Sequence, residues 1–239
     1  MQGIIPIDNP DKTFHESWDA REDASGNTTR HPMNIPHPFR CCLLGPPGVG
    51  KTTIAINLIL HQEPMFQKVY IIHIDGEYTK EYDVLEEFEL LDDIPDPTWW
   101  PGEEKSLVVL DDLEYKTMDK TQRRNLDRLV GYVSTHKDLS VVTTSQDPFN
   151  LPPIVRRCSD MWVLWKTKDY DSIATIARKG GVSVDLLRTL FSRFGLRDSL
   201  WIDTTPDTPY PLRINGIELL SLSDQPCTTS TKMGNKLKH

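Results

Sequence analysis

No run of eighteen apolar residues occurs in this 239-residue chain, and its mean hydropathy is -0.44, so nothing in it reads as a membrane-spanning helix. The opening MQGIIPIDNPDK has neither a basic start nor an apolar core of the secretory type, and an intracellular protein is expected. Cysteine is scarce: Cys41, Cys42, Cys158 and Cys227 show neither C-x-x-C nor zinc-ligand spacing. Two of them are neighbours inside an apolar run, so reduced core thiols are expected rather than staples or metal ligands. Internal repeats and low-complexity tracts are also missing, which excludes a solenoid or a fibre. What remains, at 38% hydrophobic and 26% charged residues, suits one full-sized α/β domain or at most two small ones.

Basic residues are outnumbered 27 to 35, giving a net charge of -8, but the imbalance is local. Residues 75–119 hold 16 Asp and Glu against 3 Lys and Arg, whereas residues 120–213 hold 15 Lys and Arg against 10 Asp and Glu. A basic second half leaves room for a polyanion-binding surface, and an evenly solvated surface accounts for the same surplus.

Residues 1–38 are polar and proline-rich with few aliphatics, and are expected to form a flexible arm. From Phe39 the pattern becomes strand, glycine loop, helix: FRCCLL, then GPPGVGKTT, then TTIAINLILHQ. Further short β-branched runs follow at VYIIHID (69–75), SLVVLDD (106–112), LSVVTTSQ (139–146), MWVLWK (161–166) and SLWIDTT (199–205). Between the third and fourth runs, Leu126, Leu129, Val130 and Val133 fall on one face of an expected crossover helix. DSIATIARKG and VSVDLLRTLFSRFG predict two more helices, the first ending at Gly180 and the second capped by Ser183. One folded α/β unit is expected over 39–219, with a flexible tail over 220–239.

Gly45, Pro46, Pro47, Gly48, Val49, Gly50, Lys51 and Thr52 match G-x-x-x-x-G-K-[ST] at every defined position, and the motif lies between a predicted strand and a predicted helix. In such a loop the glycines turn backbone N–H groups, together with that of Thr53, toward phosphates. Lys51 neutralises the terminal phosphates, and the Thr52 hydroxyl ligates Mg²⁺ of an ATP complex. Downstream, LVVLDD ends an apolar strand in two carboxylates; Asp111 is the expected metal-holding acid and Asp112 the expected base, with Glu114 as its competitor. A strand lies between the loop strand and LVVLDD, an organisation that resembles the additional-strand branch of P-loop ATPases, and this resemblance implies that Gln146, ending the next strand, is the γ-phosphate sensor. Arg156 and Arg157, in LPPIVRR, are candidates for an arginine donated to a neighbouring subunit's phosphate, with an internal salt bridge as the rival role.

With the runs HPFRCCLLGPPGVGKTT, SLVVLDDLE, STHKDLSVVTTSQ, LPPIVRRCSD and LWIDTTPDTPYPLRI in hand, residues 37–215 resemble the viral genome-packaging ATPases of the FtsK/HerA P-loop superfamily, of poxvirus and virophage type. The resemblance implies a RecA-like α/β fold, with a central mostly parallel sheet flanked by helices, in the additional-strand branch of P-loop NTPases. It also implies ATP and Mg²⁺, double-stranded DNA gripped by its backbone, viral capsid proteins as partners, and a homo-oligomeric ring of five or six. The place of action is then the infected host cell, with no membrane involved. The acidic middle, including Glu81 to Asp96 and WWPGEE, has no equivalent in the family pattern, and no nuclease domain is recognisable in these 239 residues.

Arg123, Arg124, Arg128, Lys166 and Lys168 are candidate DNA contacts, each equally readable as surface charge, and Trp99 and Trp100 are expected to pack rather than to grip DNA. Two other classes share the loop: a small-molecule kinase, which needs an arginine-bearing lid and no sensor at Gln146, and an ATP-gated loader with little response to DNA. An ABC-type transporter ATPase is disfavoured, because no LSGGQ-like signature separates the loop from Asp111. Replacing Lys51 by Ala is expected to abolish ATP turnover in a phosphate-release assay; undiminished turnover would remove the loop from the chemistry.

Overall fold

The computed structural model describes residues 35 and 37–220, apart from 63–64, 74–79, 103, 113, 206–207, 209–210 and 217, together with the backbone of 21–22 and 28–29. All of the expected tail over 220–239 except Leu220, and nearly all of the expected arm over 1–38, lie outside the described residues.

The apolar runs of the sequence become strands β1 (Arg40–Leu44), β2 (Lys68–Ile72), β4 (Ser106–Leu110), β5 (Leu139–Ser145), β6 (Met161–Trp165) and β7 (Ser199–Asp203). Three strands that were not anticipated complete the set: β3 (Glu89–Leu91), β8 (Leu212–Ile214) and β9 (Glu218–Leu219). They form one nine-stranded sheet in the order β9-β8-β7-β6-β1-β5-β4-β2-β3. From β6 to β3 every pairing is parallel, and β7, β8 and β9 extend the other edge antiparallel.

The arrangement follows from burial. Strands β4, β5 and β6 are buried at every position, as a parallel sheet covered on both faces requires. Alternate side chains then feed two cores. On one face Leu43, Val109, Val163 and Trp165 meet Ala55 and Ile59 of helix α1 (Lys51–Leu60). On the other, Cys42, Leu110, Leu164 and Ile202 meet helices α2 (Lys120–Arg128), α3 (Pro153–Cys158), α4 (Tyr170–Gly180) and α5 (Val184–Arg193).

The crossover helix departs from its expected form. After α2 the backbone widens into a π turn over Leu129–Val133 before a last α turn, Ser134–His136. The apolar face is kept: Leu126, Leu129, Val130 and Val133 are all fully buried. Asp119 begins α2 by accepting the N–H groups of Thr121 and Gln122, while the Gln122 amide oxygen accepts Asp119 N–H in return. Helix α4 ends at Gly180 as expected, with Gly181 at φ 66°, and Ser183 caps α5 through Leu186 N–H.

The acidic middle is structured rather than an unpatterned insert. It contributes a 3₁₀ turn (Lys80–Val84), the edge strand β3 and a turn carrying Trp99 and Trp100. Trp100 is buried with its ring 5.4 Å from that of Tyr70, and Lys137 Nζ donates to the carbonyls of Pro97 and Trp100. Packing is thus the role of Trp100, while Trp99 stays 43% exposed. Cys41, Cys42 and Cys158 are free thiols, and burial pushes Cys42 up to about 12.

One close approach fixes where the glycine loop can sit. A Cβ on Gly45 would lie 2.9 Å from Trp165 Cβ and 3.1 Å from Val49 Cγ2, closer than unbonded carbon atoms pack. Since Trp165 Cβ is tied to its backbone, β1 and β6 would have to part. Replacing Gly45 by Ala is expected to cost about 1–3 kcal/mol, seen as a melting temperature lower by roughly 2–10 °C; an unchanged melting temperature would show that the strand pair yields freely.

Candidate nucleotide site

Each part of the site lies at the carboxyl edge of the sheet, where β1, β4 and β5 end. Strand β5 runs between β1 and β4, pairing Leu43 with Thr144 on one side and Leu110 with Thr143 on the other. The loop that follows β1 is anchored to it, since Gly45 N–H donates to Ser145 O at 3.2 Å. Glycine is required at two further points: Gly48 and Gly50 hold φ of 74° and 106°, in the left-handed region that other residues avoid. Gly50 leads into α1 without a side-chain cap, which leaves the first N–H groups of the helix available to an anion.

Lys51 turns back over the loop, and its Nζ donates to the carbonyls of Gly45 (2.8 Å) and Pro46 (3.0 Å). Burial pulls the ammonium below its ordinary value, while the carboxylates of Asp112 and Asp111 pull it upward, so both acids lie within Coulombic reach of it. Thr52 and Thr53 occupy the first turn of α1, as expected.

The two aspartates that close β4 face different surroundings. Asp111 is buried, and both of its oxygens are engaged: Tyr82 Oη donates to Oδ2 at 3.1 Å and Thr144 Oγ1 to Oδ1 at 2.7 Å. The same Thr144 oxygen accepts Asp112 N–H at 2.7 Å. Asp112 takes φ of 48°, a left-handed conformation that Asp tolerates better than most residues, and its exposed carboxylate accepts two long bonds from Gln146 Nε2, at 3.4 and 3.3 Å. Gln146, one residue beyond β5, therefore meets Asp112.

Arg156 and Arg157 lie apart from this cluster, in the last turn of α3. Among the described residues no hydrogen bond or ion pair links either to the glycine loop; Arg157 is exposed, and Arg156 Nε is buried without a partner. An internal salt bridge, the rival expectation, is not formed by either among the described residues. Glu114 is exposed and its carbonyl serves a local turn to Thr117. Of the cationic side chains suggested as DNA contacts, Arg123 folds onto Tyr115, 4.9 Å from the ring centroid, and bonds Lys116 O.

Two residues of the site were not picked out in the sequence, Tyr82 and Thr144. Thr144 carried a readable signal, a hydroxyl at a fully buried position of a central strand, where it must find a partner. Tyr82 carried none: it sits in the acidic middle, and only the fold brings its phenol to Asp111. Burial and that carboxylate hold the phenol far above its ordinary value, so it donates as a neutral hydroxyl.

The donor set beside the loop is all oxygen, the Thr52 hydroxyl and the Asp111 carboxylate, which suits a hard ion such as Mg²⁺ completed by nucleotide phosphates and water. Among the described residues no cluster of three or more His, Cys, Asp and Glu forms a metal cage, so an ion here depends on a ligand's oxygens.

Comparison with known proteins agrees with this geometry. The family model described as "ATPase family associated with various cellular activities (AAA)" matches residues 41–164, from β1 to β6. No curated protein matches the chain. Among solved structures, the genome packaging NTPase B204 from Sulfolobus turreted icosahedral virus 2, in complex with AMPPCP, is similar with a TM-score of 0.52 at 16% identity, covering 74% of this chain and 97% of that one. B204 described as the DNA-packaging ATPase from Sulfolobus turreted icosahedral virus is similar at 0.50 and 15%, covering 73% and 95%. At such identities the likeness is one of fold, and it is the fold that the sequence resemblance implied. Replacing Thr144 by Val would strip one bond from Asp111 and one from Asp112 N–H, at about 1–3 kcal/mol each. The expected outcome is a lower melting temperature and at least about a tenfold loss of ATP turnover, largely restored by Ser; full activity in the Val variant would show that this hydroxyl does not hold the acids.

Proposed function

This chain belongs to the AAA family of ATPases, and from that membership we propose that it is an ATP-driven double-stranded DNA translocase that packages a viral genome into a preformed capsid. The observation that carries the reading is the juxtaposition of one glycine loop, two differently housed aspartates and Gln146, just beyond the central strand β5, in a sheet shared in fold with a genome packaging NTPase.

In this reading the N–H groups of residues 48–53 receive the phosphates of ATP, and Lys51 swings from the Gly45 and Pro46 carbonyls to the terminal phosphates. Thr52 and Asp111 would hold Mg²⁺, which supplies charge neutralisation at the phosphates when bound. Tyr82 and Thr144 keep the Asp111 carboxylate from rotating away. Asp112, outward-facing and tethered to Gln146, orients the attacking water and takes its proton. Gln146 then exchanges its long bonds to Asp112 for the γ-phosphate, reporting whether it is present.

Arg156 and Arg157 make no ion pair among the described residues of their own subunit, which leaves them available to a neighbour's nucleotide across a homo-oligomeric ring. Such a ring would hold double-stranded DNA by backbone phosphates, because every sequence must pass through it. Capsid proteins are the expected docking partners, and the infected host cell the expected place of work. Turnover of ATP is expected to rise severalfold when long duplex DNA is added to protein whose mass in ATP and Mg²⁺ is that of a ring; turnover indifferent to DNA, or a monomer throughout, would overturn the translocase reading.

A further inference from the structure

A cleft of about 290 Å³ opens between the segment that follows β6 and the helices α4 and α5. Lys166, Lys168 and Arg188 line it above a floor of Ile173 and Phe191, with Tyr170 at its side, and none of its lining residues is acidic. The three cations line the cleft itself, while the nearby carboxylates of Asp169, Asp171 and Asp185 are not among its lining residues.

Each cation is held or left free in a way that suits an anionic guest. Arg188 stacks its guanidinium on the half-exposed Tyr170 ring, 4.3 Å from the centroid, which fixes the group at the cleft. Its one ion pair, to Asp185, spans 3.9 Å between exposed groups and contributes little. Lys166 Nζ spends one donor on Phe194 O at 3.3 Å and keeps two. Lys168 is exposed and makes no hydrogen bond or ion pair among the described residues.

The cleft also has a direct structural link to the nucleotide loop. Lys166 follows Trp165 immediately, and Trp165 is the residue against which Gly45 packs so closely that no side chain fits between them. Strands β1 and β6 are paired through Leu44 and Leu164, so one strand pair separates the loop from the segment that leads into the cleft.

We infer that this cleft grips the phosphate backbone of double-stranded DNA, with Lys166, Lys168 and Arg188 as the phosphate-contacting cations; the inference rests on the translocase reading above. Contacts of this kind fix position without reading bases, and each phosphate neutralised adds about 0.9 to the slope of log affinity against log salt.

The test is fluorescence anisotropy of a labelled duplex of arbitrary sequence, titrated with the full chain and a non-hydrolysable ATP analogue at several salt concentrations. The triple variant Lys166→Ala, Lys168→Ala, Arg188→Ala is expected to bind at least about tenfold more weakly, with a salt slope shallower by roughly 2–3. Lys168→Glu alone, an exposed change, is expected to act in the same direction and keeps the test open should the triple variant fail to fold. Equal duplex affinity and slope in wild type and the Lys168→Glu and triple variants would overturn the cleft while leaving the translocase reading standing. Loss of affinity for the ATP analogue with duplex binding intact would overturn it by assigning the cleft to the nucleotide. No duplex binding by the wild type would remove both.

Discussion

Thr144 Oγ1 gives its proton to Asp111 Oδ1 and takes that of Asp112 N–H, and this one hydroxyl, buried in the middle of the sheet, sets the different fates of two adjacent carboxylates. With its side chain anchored from β5, Asp111 stays inside; with its backbone anchored from the same atom, Asp112 is turned into the left-handed region and its carboxylate projects outward. Neither geometry is available to β4 alone. Both depend on β5 lying between the loop strand and the aspartate strand, and on the register that places Thr144 level with the end of β4. A bond to a charged acceptor in such surroundings contributes about 1.5–3 kcal/mol, so the arrangement is fixed before any ligand arrives.

The same strand order distributes the remaining parts. Because β1, β5 and β4 end side by side, Lys51 meets the field of both aspartates, and Gln146, one residue beyond β5, reaches Asp112 without any long excursion of the chain. On the far side of β1, β6 delivers Trp165 to the base of the loop and Lys166 to the cleft beyond it. The loop is therefore bounded by chemistry on one flank and by a cationic surface on the other.

The acidic middle acquires a purpose that its charge did not suggest. Its carboxylates are mostly solvated, but its 3₁₀ turn inserts Tyr82 beneath the sheet edge, where the phenol completes the shell of Asp111. The Trp turn, held by Lys137 and by an edge-to-face contact with Tyr70, fastens the segment to the fold near the carboxyl-terminal end of the crossover helix. Removing charge from this segment and removing Tyr82 are thus different experiments on the same stretch of chain.

What the sequence determined by itself was whatever depends on local spacing. Gly48 and Gly50 in the loop, Lys51 and Thr52 opening a helix, the cap at Ser183 and the buried apolar strands are all set by neighbours a few residues away, and the period of the pattern displays them. Gln146 was legible because its strand ends beside the aspartate strand in any sheet of this order. The tertiary structure alone decided the partners of Asp111, the isolation of Arg156 and Arg157 from their own loop, the contact of Gly45 with Trp165 and the convergence of Lys166, Lys168 and Arg188. Those pairs lie far apart along the chain, and no local pattern encodes a distance that only the stacking of strands and helices creates.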